Sequence, residues 1–194
     1  MRYLIALLAL LFTAPLASAQ EKQQAVFAGG CFWCMEHDMQ GIPGVISVES
    51  GYTGGKEKNP TYLQVARHLT GHYESVRVTF DPTKITYEQI LSRYWPLIDP
   101  TDAGGQFCDR GQSYAPAIFV TPAQKTAAEA SKQKVIDSKR VNGTVIVPIL
   151  PLGDFWPAEE YHRDYAKRNK ADYDDYRRGC RRDQRLAQVW KPIG

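Results

Sequence analysis

The chain has 194 residues, 43% of them hydrophobic and 23% charged, with 24 Lys and Arg against 21 Asp and Glu. That composition excludes a disordered or fibrous protein, and the length fits one domain with a sizeable core. A net charge of +3 is too small to mark a nucleic-acid binder, whose phosphate contacts need dense positive charge.

The first nineteen residues read as an export signal. Arg2 gives a short positive start, Leu4 to Phe12 an apolar stretch, and Ala17-Ser18-Ala19 a small-residue cleavage site. The apolar stretch is too short for a stable membrane span. The mature chain is expected to begin at Gln20, as one catalytic domain with a tail from about residue 170, in the periplasm or secreted.

Gln24 to Ala28 predicts a strand, and Cys31 to about Gln40 a helix stopped by Gly41 and Pro43. Val45 to Ser50 alternates as a strand does, and the glycine-rich run Gly51 to Pro60 reads as a loop. Tyr73 to Phe80 is the clearest strand, with Val76, Val78 and Phe80 on one face. Thr86 and Gln89 form a capping-box pair, followed by Tyr87, Ile90, Leu91, Tyr94 and Trp95 at helical spacing. Asp99 to Ser113 reads as irregular and Ala117 to Val120 as a buried strand. Thr121-Pro122-Ala123-Gln124 opens the next helix. Asn142-Gly143 turns into a strand Thr144 to Val147, which Pro148 ends or holds at an edge. Pro157 opens a last helix through Tyr165.

Beyond Asn169 the chain is polar. Arg177, Arg178, Arg181, Arg182 and Arg185 read as a solvated face, with Leu186, Val189 and Trp190 folding back on the body. These elements predict an α+β two-layer sandwich with a mixed central sheet, a ferredoxin-like core and a long irregular C-terminal segment.

Gly30-Cys31-Phe32-Trp33-Cys34 carries the chemistry. A cysteine after two glycines, opening a helix, meets unpaired N–H groups and the positive end of the helix dipole, and both favour the thiolate. The four cysteines are Cys31, Cys34, Cys108 and Cys180. A chain of this size does not need staples, so redox chemistry is expected for some of them. Glu74 shares the parity of Val76 and Val78. It either points to their apolar side, where burial raises its pKa and makes it a proton donor, or faces solvent at the strand's start.

Tyr52, Tyr62 and Tyr114 lie in or beside glycine-rich loops, as hydrogen-bond donors or as packing. Asp109 and Arg110 form a surface pair or support the site. His72 and His162 are each a base for Cys31 or structural. Cys31 and Cys34 also make a Cys-x-x-Cys pair, which admits a thiol–disulfide oxidoreductase as a second reading. A binding protein with two plain disulfides is the third. Cys108, His72 and His162 lack the paired spacing of a zinc site, so neither a metal nor a bound cofactor is expected.

The pentapeptide resembles the signature of the A-type peptide methionine sulfoxide reductases. Gly51-Tyr52-Thr53-Gly54-Gly55, Pro60-Thr61-Tyr62, Gly71-His72-Tyr73-Glu74 and Asp99-Pro100-Thr101 resemble further blocks of that family, in its order. So do Gly105-Gln106-Phe107-Cys108-Asp109-Arg110-Gly111 and Phe155-Trp156-Pro157-Ala158-Glu159. The arginine-rich C-terminal segment replaces the family's more familiar glycine-rich tail.

The resemblance implies reduction of the S epimer of methionine sulfoxide, free or in oxidised proteins. Cys31 would attack the sulfoxide sulfur and become a sulfenic acid as methionine leaves. Glu74 would protonate the oxygen, Tyr62 and Tyr114 would hydrogen-bond to it, and Phe32 and Trp33 would hold the methyl group. Asp109 matches a supporting polar residue and Tyr165 a further pocket tyrosine. Cys180 matches a distal resolving cysteine, with Cys34 and Cys108 as alternatives. An external dithiol such as a thioredoxin-like protein would reset the enzyme.

Overall fold

The computed structural model describes residues 21–192; the predicted export signal lies outside them. The strands are β1 (Gln23–Ala28), β2 (Val45–Thr53), β3 (Tyr73–Phe80), β4 (Gly105–Gln106), β5 (Asp109–Arg110), β6 (Ala117–Val120), β7 (Ile149–Pro151) and β8 (Trp156–Pro157). The helices are α1 (Phe32–Gln40), α2 (Tyr62–Ala66), α3 (Tyr87–Tyr94), α4 (Lys125–Asp137), α5 (Tyr165–Arg168), α6 (Lys170–Gly179) and α7 (Arg182–Val189).

Six strands form one sheet in the order β7-β6-β1-β3-β2-β8, and β4 pairs with β5 as a separate hairpin. The strands β6-β1-β3-β2 are antiparallel neighbours. With α1 and α3 they trace the β-α-β-β-α-β path of a ferredoxin-like core. β7 joins β6 in parallel, so the sheet is mixed. Phe27, Val76, Val78, Phe80 and Ile118 face α1, α3 and α4 in the main core. The opposite face, with Val26, Ala28 and Phe119, is covered by Leu150, Leu152 and Phe155 rather than by helices. This is the expected two-layer α+β sandwich.

Both halves of the Thr86–Gln89 capping box form, and Tyr87, Ile90, Leu91, Tyr94 and Trp95 are all buried. Elsewhere the chain departs from the local signals. β2 runs on through Gly51 to Thr53, because β8 pairs with it at Gly51 and Tyr52. The expected loop is followed by α2, opened by a complete capping box of Thr61 and Gln64. Thr144 to Val147 is not a strand. Its Ile146 N–H donates to the Pro100 carbonyl at 2.9 Å, and ladder pairing begins only after Pro148. α4 starts at Lys125, one turn later than Pro122 suggested. Pro157 lies in β8, not at a helix start; a 3-10 turn at Glu160–His162 and the short α5 come later.

The long irregular C-terminal segment is instead helical, as α6 and α7. α7 is rich in good helix formers, whereas α6 carries three Asp and two Tyr, which are weaker ones. The buried side is marked by Tyr173, Arg182 and Val189 instead of an aliphatic stripe, so no apolar periodicity announced it. The arginine cluster is not one solvated face either. Arg177 Nη1 reaches both Asp38 oxygens at 2.9 and 3.0 Å, and Arg182 is buried. Val189 and Trp190 do fold back; Trp190 Nε1 donates to the Ile98 carbonyl at 2.9 Å. Among the described residues, no helix is long and apolar enough to cross a membrane.

Candidate active site

β1 ends at Ala28 and the chain bends through Gly29 and Gly30 into α1. A Cβ on Gly29 would lie 2.7 Å from Ile98 Cγ2 and from Met35 Sδ. Gly30 has φ +84°, and its Cβ would lie 2.7 Å from Gln106 Cβ. Only glycine fits such a bend. It delivers Cys31 to the N-cap of α1, where its carbonyl accepts from the Cys34 and Met35 N–H groups at 3.1 and 3.3 Å.

The register of β3 pairs Ser75 with Ala28, so Glu74 lies just past the end of β1, beside the start of α1. Glu74 is 2% exposed and faces the same side as Val76, Val78 and Phe80. The buried reading of its parity holds. Its Oε2 accepts from the Phe32 N–H at 3.1 Å. Burial pushes its pKa up to about 8, against that N–H, with further upward pressure from Asp109 and Cys34. The carboxyl therefore keeps its proton at neutral pH.

Cys31, Phe32, Trp33, Tyr62, Glu74, Asp109, Tyr114 and Tyr176 line one cavity of about 50 Å³. Tyr62 opens α2, held there by Glu159, whose Oε1 accepts its N–H at 2.8 Å while Oε2 accepts the Tyr52 hydroxyl at 2.7 Å. Burial, then the Glu74 charge, pushes Tyr62 up to about 12 and raises Tyr114 likewise, so both hydroxyls remain donors. Asp109 accepts from the Tyr176 hydroxyl, and burial raises its pKa. Arg110 turns away to Asp102, at 2.5 and 3.1 Å. Adjacent strand residues point to opposite sides, so no Asp109–Arg110 pair forms.

Three of the expected roles move. Tyr165 does not line the cavity; it stacks behind Trp33, ring centroids 3.8 Å apart and 7° from parallel. The cavity tyrosine missed in the sequence is Tyr176, one helical turn before Cys180. His162 is no base for Cys31. Its Nδ1 accepts from Trp33 Nε1 at 3.0 Å, and burial lowers its pKa, so a neutral ring fixes the indole. His72 is spent on the loop, with Nδ1 accepting from Gly55 N–H at 3.1 Å and Nε2 2.7 Å from the Glu57 carbonyl.

Cys108 and Cys180 form a disulfide with Cα atoms 4.9 Å apart, while Cys31 and Cys34 are free buried thiols. Two plain structural disulfides are thereby ruled out. The helix start does not make Cys31 a ready thiolate here. Burial pushes its pKa up, reinforced by Cys34 and Glu74. Cys34 moves the other way, mainly because the Cys31 thiol donates to it, with help from Arg182 and Arg177. Desolvation outweighs the dipole at Cys31, since the dipole is worth only about 0.3–2 kcal/mol.

A buried, proton-bearing acid and a thiol lining one cavity, with a disulfide at the surface nearby, suit the removal of an oxygen atom. Fold and site together define a thiol-dependent oxidoreductase. The comparisons narrow this. The family model "Peptide methionine sulfoxide reductase" matches residues 23–193. A Caulobacter vibrioides protein described as peptide methionine sulfoxide reductase MsrA 2 is 63% identical over 92% of this chain and 90% of its own. The solved methionine sulfoxide reductase A of Corynebacterium diphtheriae superposes with TM-score 0.69 at 27% identity, covering 80% of this chain and 78% of that one. Reduced Mxr1 of Saccharomyces cerevisiae gives TM-score 0.72 at 25% identity, over 77% and 86% of the two chains. The chain belongs to the peptide methionine sulfoxide reductase family, and it is an enzyme that reduces methionine sulfoxide to methionine.

Proposed function

We propose that the cavity reduces the S epimer of methionine sulfoxide, free or within oxidised proteins, with Cys31 as nucleophile and Glu74 as acid. One observation carries this: Glu74 accepts from the Phe32 N–H at 3.1 Å and lines the same cavity as Cys31. The Cys31 thiol loses its proton as its sulfur attacks the sulfoxide sulfur, Glu74 protonates the departing oxygen, and the thiol's proton restores the Glu74 acid. The oxygen ends on Cys31 as a sulfenic acid, and the thioether of methionine is released. Tyr62 and Tyr114 donate to the oxygen. Phe32 and Trp33 receive the methyl group, with His162 and Tyr165 fixing the indole. Asp109 and Tyr176 close the far wall. Nucleophile, oxygen donors and methyl pocket make three fixed points around a pyramidal sulfur, so only one epimer satisfies all of them.

The bonding of the cysteines supports a two-step recycling. In the fully reduced enzyme the Cys180 thiol condenses with the Cys31 sulfenic acid, giving a Cys31–Cys180 disulfide and water. Cys108 then attacks the Cys180 sulfur, forming the Cys108–Cys180 bond and returning Cys31 as a thiol. Cys180 thus acts first, as the distal position suggested, and Cys108 second. Peptide mapping after a single turnover tests this. The wild type is expected to yield Cys108–Cys180, and Cys108→Ser to accumulate Cys31–Cys180; a Cys31–Cys34 bond in its place would assign resolution to Cys34.

Cys108 is exposed, so the terminal disulfide is open to a second molecule. Reduction by a dithiol protein of thioredoxin type follows as the last step of the cycle. The thiol–disulfide oxidoreductase reading on Cys31 and Cys34 predicts insulin reduction; the burial of both sulfurs argues against it. Export to the periplasm rests on residues 1–19 alone. Expression with the native N-terminus should give a mature protein beginning at Gln20, by N-terminal sequencing of the secreted fraction. An intact Met1 there would remove that assignment.

A further inference from the structure

Arg182 is a buried cation that shares its nearest carboxylate with Arg177. The residue is 1% exposed. Its Nη1 donates to the Gly29 carbonyl at 3.3 Å, and its Nη2 donates to the Leu97 carbonyl at 2.6 Å and approaches Met35 Sδ at 3.3 Å. Nε is buried with no hydrogen-bond partner. An Asp38 oxygen stands 3.9 Å from Nε, but that carboxylate already holds Arg177. A guanidinium stripped of water is costly unless an opposite charge answers it.

The thiol pair is where such a charge arises. A Cβ on Gly30 would lie 3.6 Å from Nη1, so the guanidinium rests against the residue before Cys31. Cys34 lies one turn from Asp38 on the same face of α1. The titratable and charged groups around the pair are Asp38 on α1, Tyr62 on α2, Glu74 on β3, Asp109 on β5, Tyr114 just before β6, Tyr173, Tyr176 and Arg177 on α6, and Arg182 on α7. Only two of these are cations. Arg177 is taken up by Asp38 at 2.9 Å and Asp183 at 2.6 Å, which leaves Arg182.

The disulfide flanks Arg182 on two further sides. The guanidinium lies over the Phe107 ring, 4.5 Å from its centroid, and Phe107 precedes Cys108. On the other side only Arg181, in a left-handed conformation at φ +52°, separates Cys180 from Arg182. We infer that Arg182 is a positioning residue, the buried counter-charge of the Cys31–Cys34 pair, clamped in place by the Cys108–Cys180 bond. The redox state of the surface disulfide is thereby coupled to the charge environment of the buried thiols. The inference rests on the proposal that this pair is the reducing centre.

Alkylation by iodoacetamide tests it, with the disulfide intact and mass spectrometry reporting Cys31 and Cys34 across a pH series. Arg182→Met is expected to move the midpoint up by about one pH unit, about a tenfold loss of thiolate below it. Arg182→Lys should restore most of the shift. The wild type with Cys108–Cys180 reduced should move in the same direction as Arg182→Met. Should Arg182→Met not fold, by near-ultraviolet circular dichroism, Phe107→Leu decides: it keeps the charge, removes the ring beneath it, and is expected to shift the midpoint upward by less. An unmoved midpoint in the deciding variant, or a Lys variant that behaves like Met, overturns the inference. The assay contains no sulfoxide, so its failure leaves the role of Cys31 in sulfoxide reduction standing, and loss of that role leaves the titration readable.

Discussion

Cys31→Ser is expected to abolish turnover of methionine-S-sulfoxide, with dithiothreitol as reductant and methionine measured chromatographically. A serine hydroxyl fills nearly the same space but does not ionise near neutral pH. Its oxygen also has no counterpart of the sulfenic acid, so no disulfide can follow. The loss is therefore complete and not a matter of degree. The site sharpens the expectation, because Cys31 is the N-cap of α1 without a side-chain capping bond. Serine is a good N-cap, so the variant should fold at least as well as the wild type. Inactivity in a folded protein then reports chemistry. Turnover at the normal rate would move the nucleophile elsewhere, to Cys34 in the first instance.

Glu74→Gln is expected to slow sulfenic acid formation about 10²–10⁴-fold, the range for a lost general acid. The amide keeps the shape and still accepts from the Phe32 N–H, but it has no proton to give. In the wild type, burial pushes the carboxyl up to about 8. The acid is armed below that pH and lost as pH rises through it, so the wild-type rate falls on the alkaline side. The variant lacks that limb, and its deficit shrinks in acid, where solvent protons substitute. Single-turnover rates across pH decide this; equal rates at neutral pH would refute the role.

Stability falls with rising pH as well, and here the variant gains where its rate loses. Between its ordinary value of 4.5 and about 8, Glu74 holds its proton in the folded chain but not in the unfolded one. The native state then binds more protons, so stability falls as pH rises through this window. A neutral glutamine escapes that loss. Thermal melts should show the variant gaining on the wild type from acid to mildly alkaline pH, a site that trades stability for an available proton.

The sequence was legible where one short stretch carries its own physics. Two glycines before a cysteine announce a tight bend, and both prove sterically required. Strand parity offered Glu74 a buried or a solvent-facing place, and the structure decides for the buried one because β3 is regular from Tyr73 to Phe80. The capping box at Thr86 gave α3 its start. What stayed hidden depends on partners distant in the chain. Tyr176 and Tyr165 sit on neighbouring helices, and only tertiary packing decides which enters the cavity and which backs Trp33. The Cys108–Cys180 pairing joins a hairpin to the end of α6, which no local spacing encodes. Arg182 looked solvated because arginines usually are; its burial comes from the carbonyls of Gly29 and Leu97, which no residue pattern displays.

The bridge between Cys108 and Cys180 closes a loop spanning 72 positions. In the chain-entropy picture a link of that span restrains the unfolded chain by about 4 kcal/mol. The protein is thus hardiest when idle and awaiting electrons, and most vulnerable to heat or proteases once rearmed for repair. Its lifetime is then governed by how long each molecule waits in the rearmed form, and a steady supply of methionine sulfoxide, by shortening that wait, protects the enzyme along with its clients.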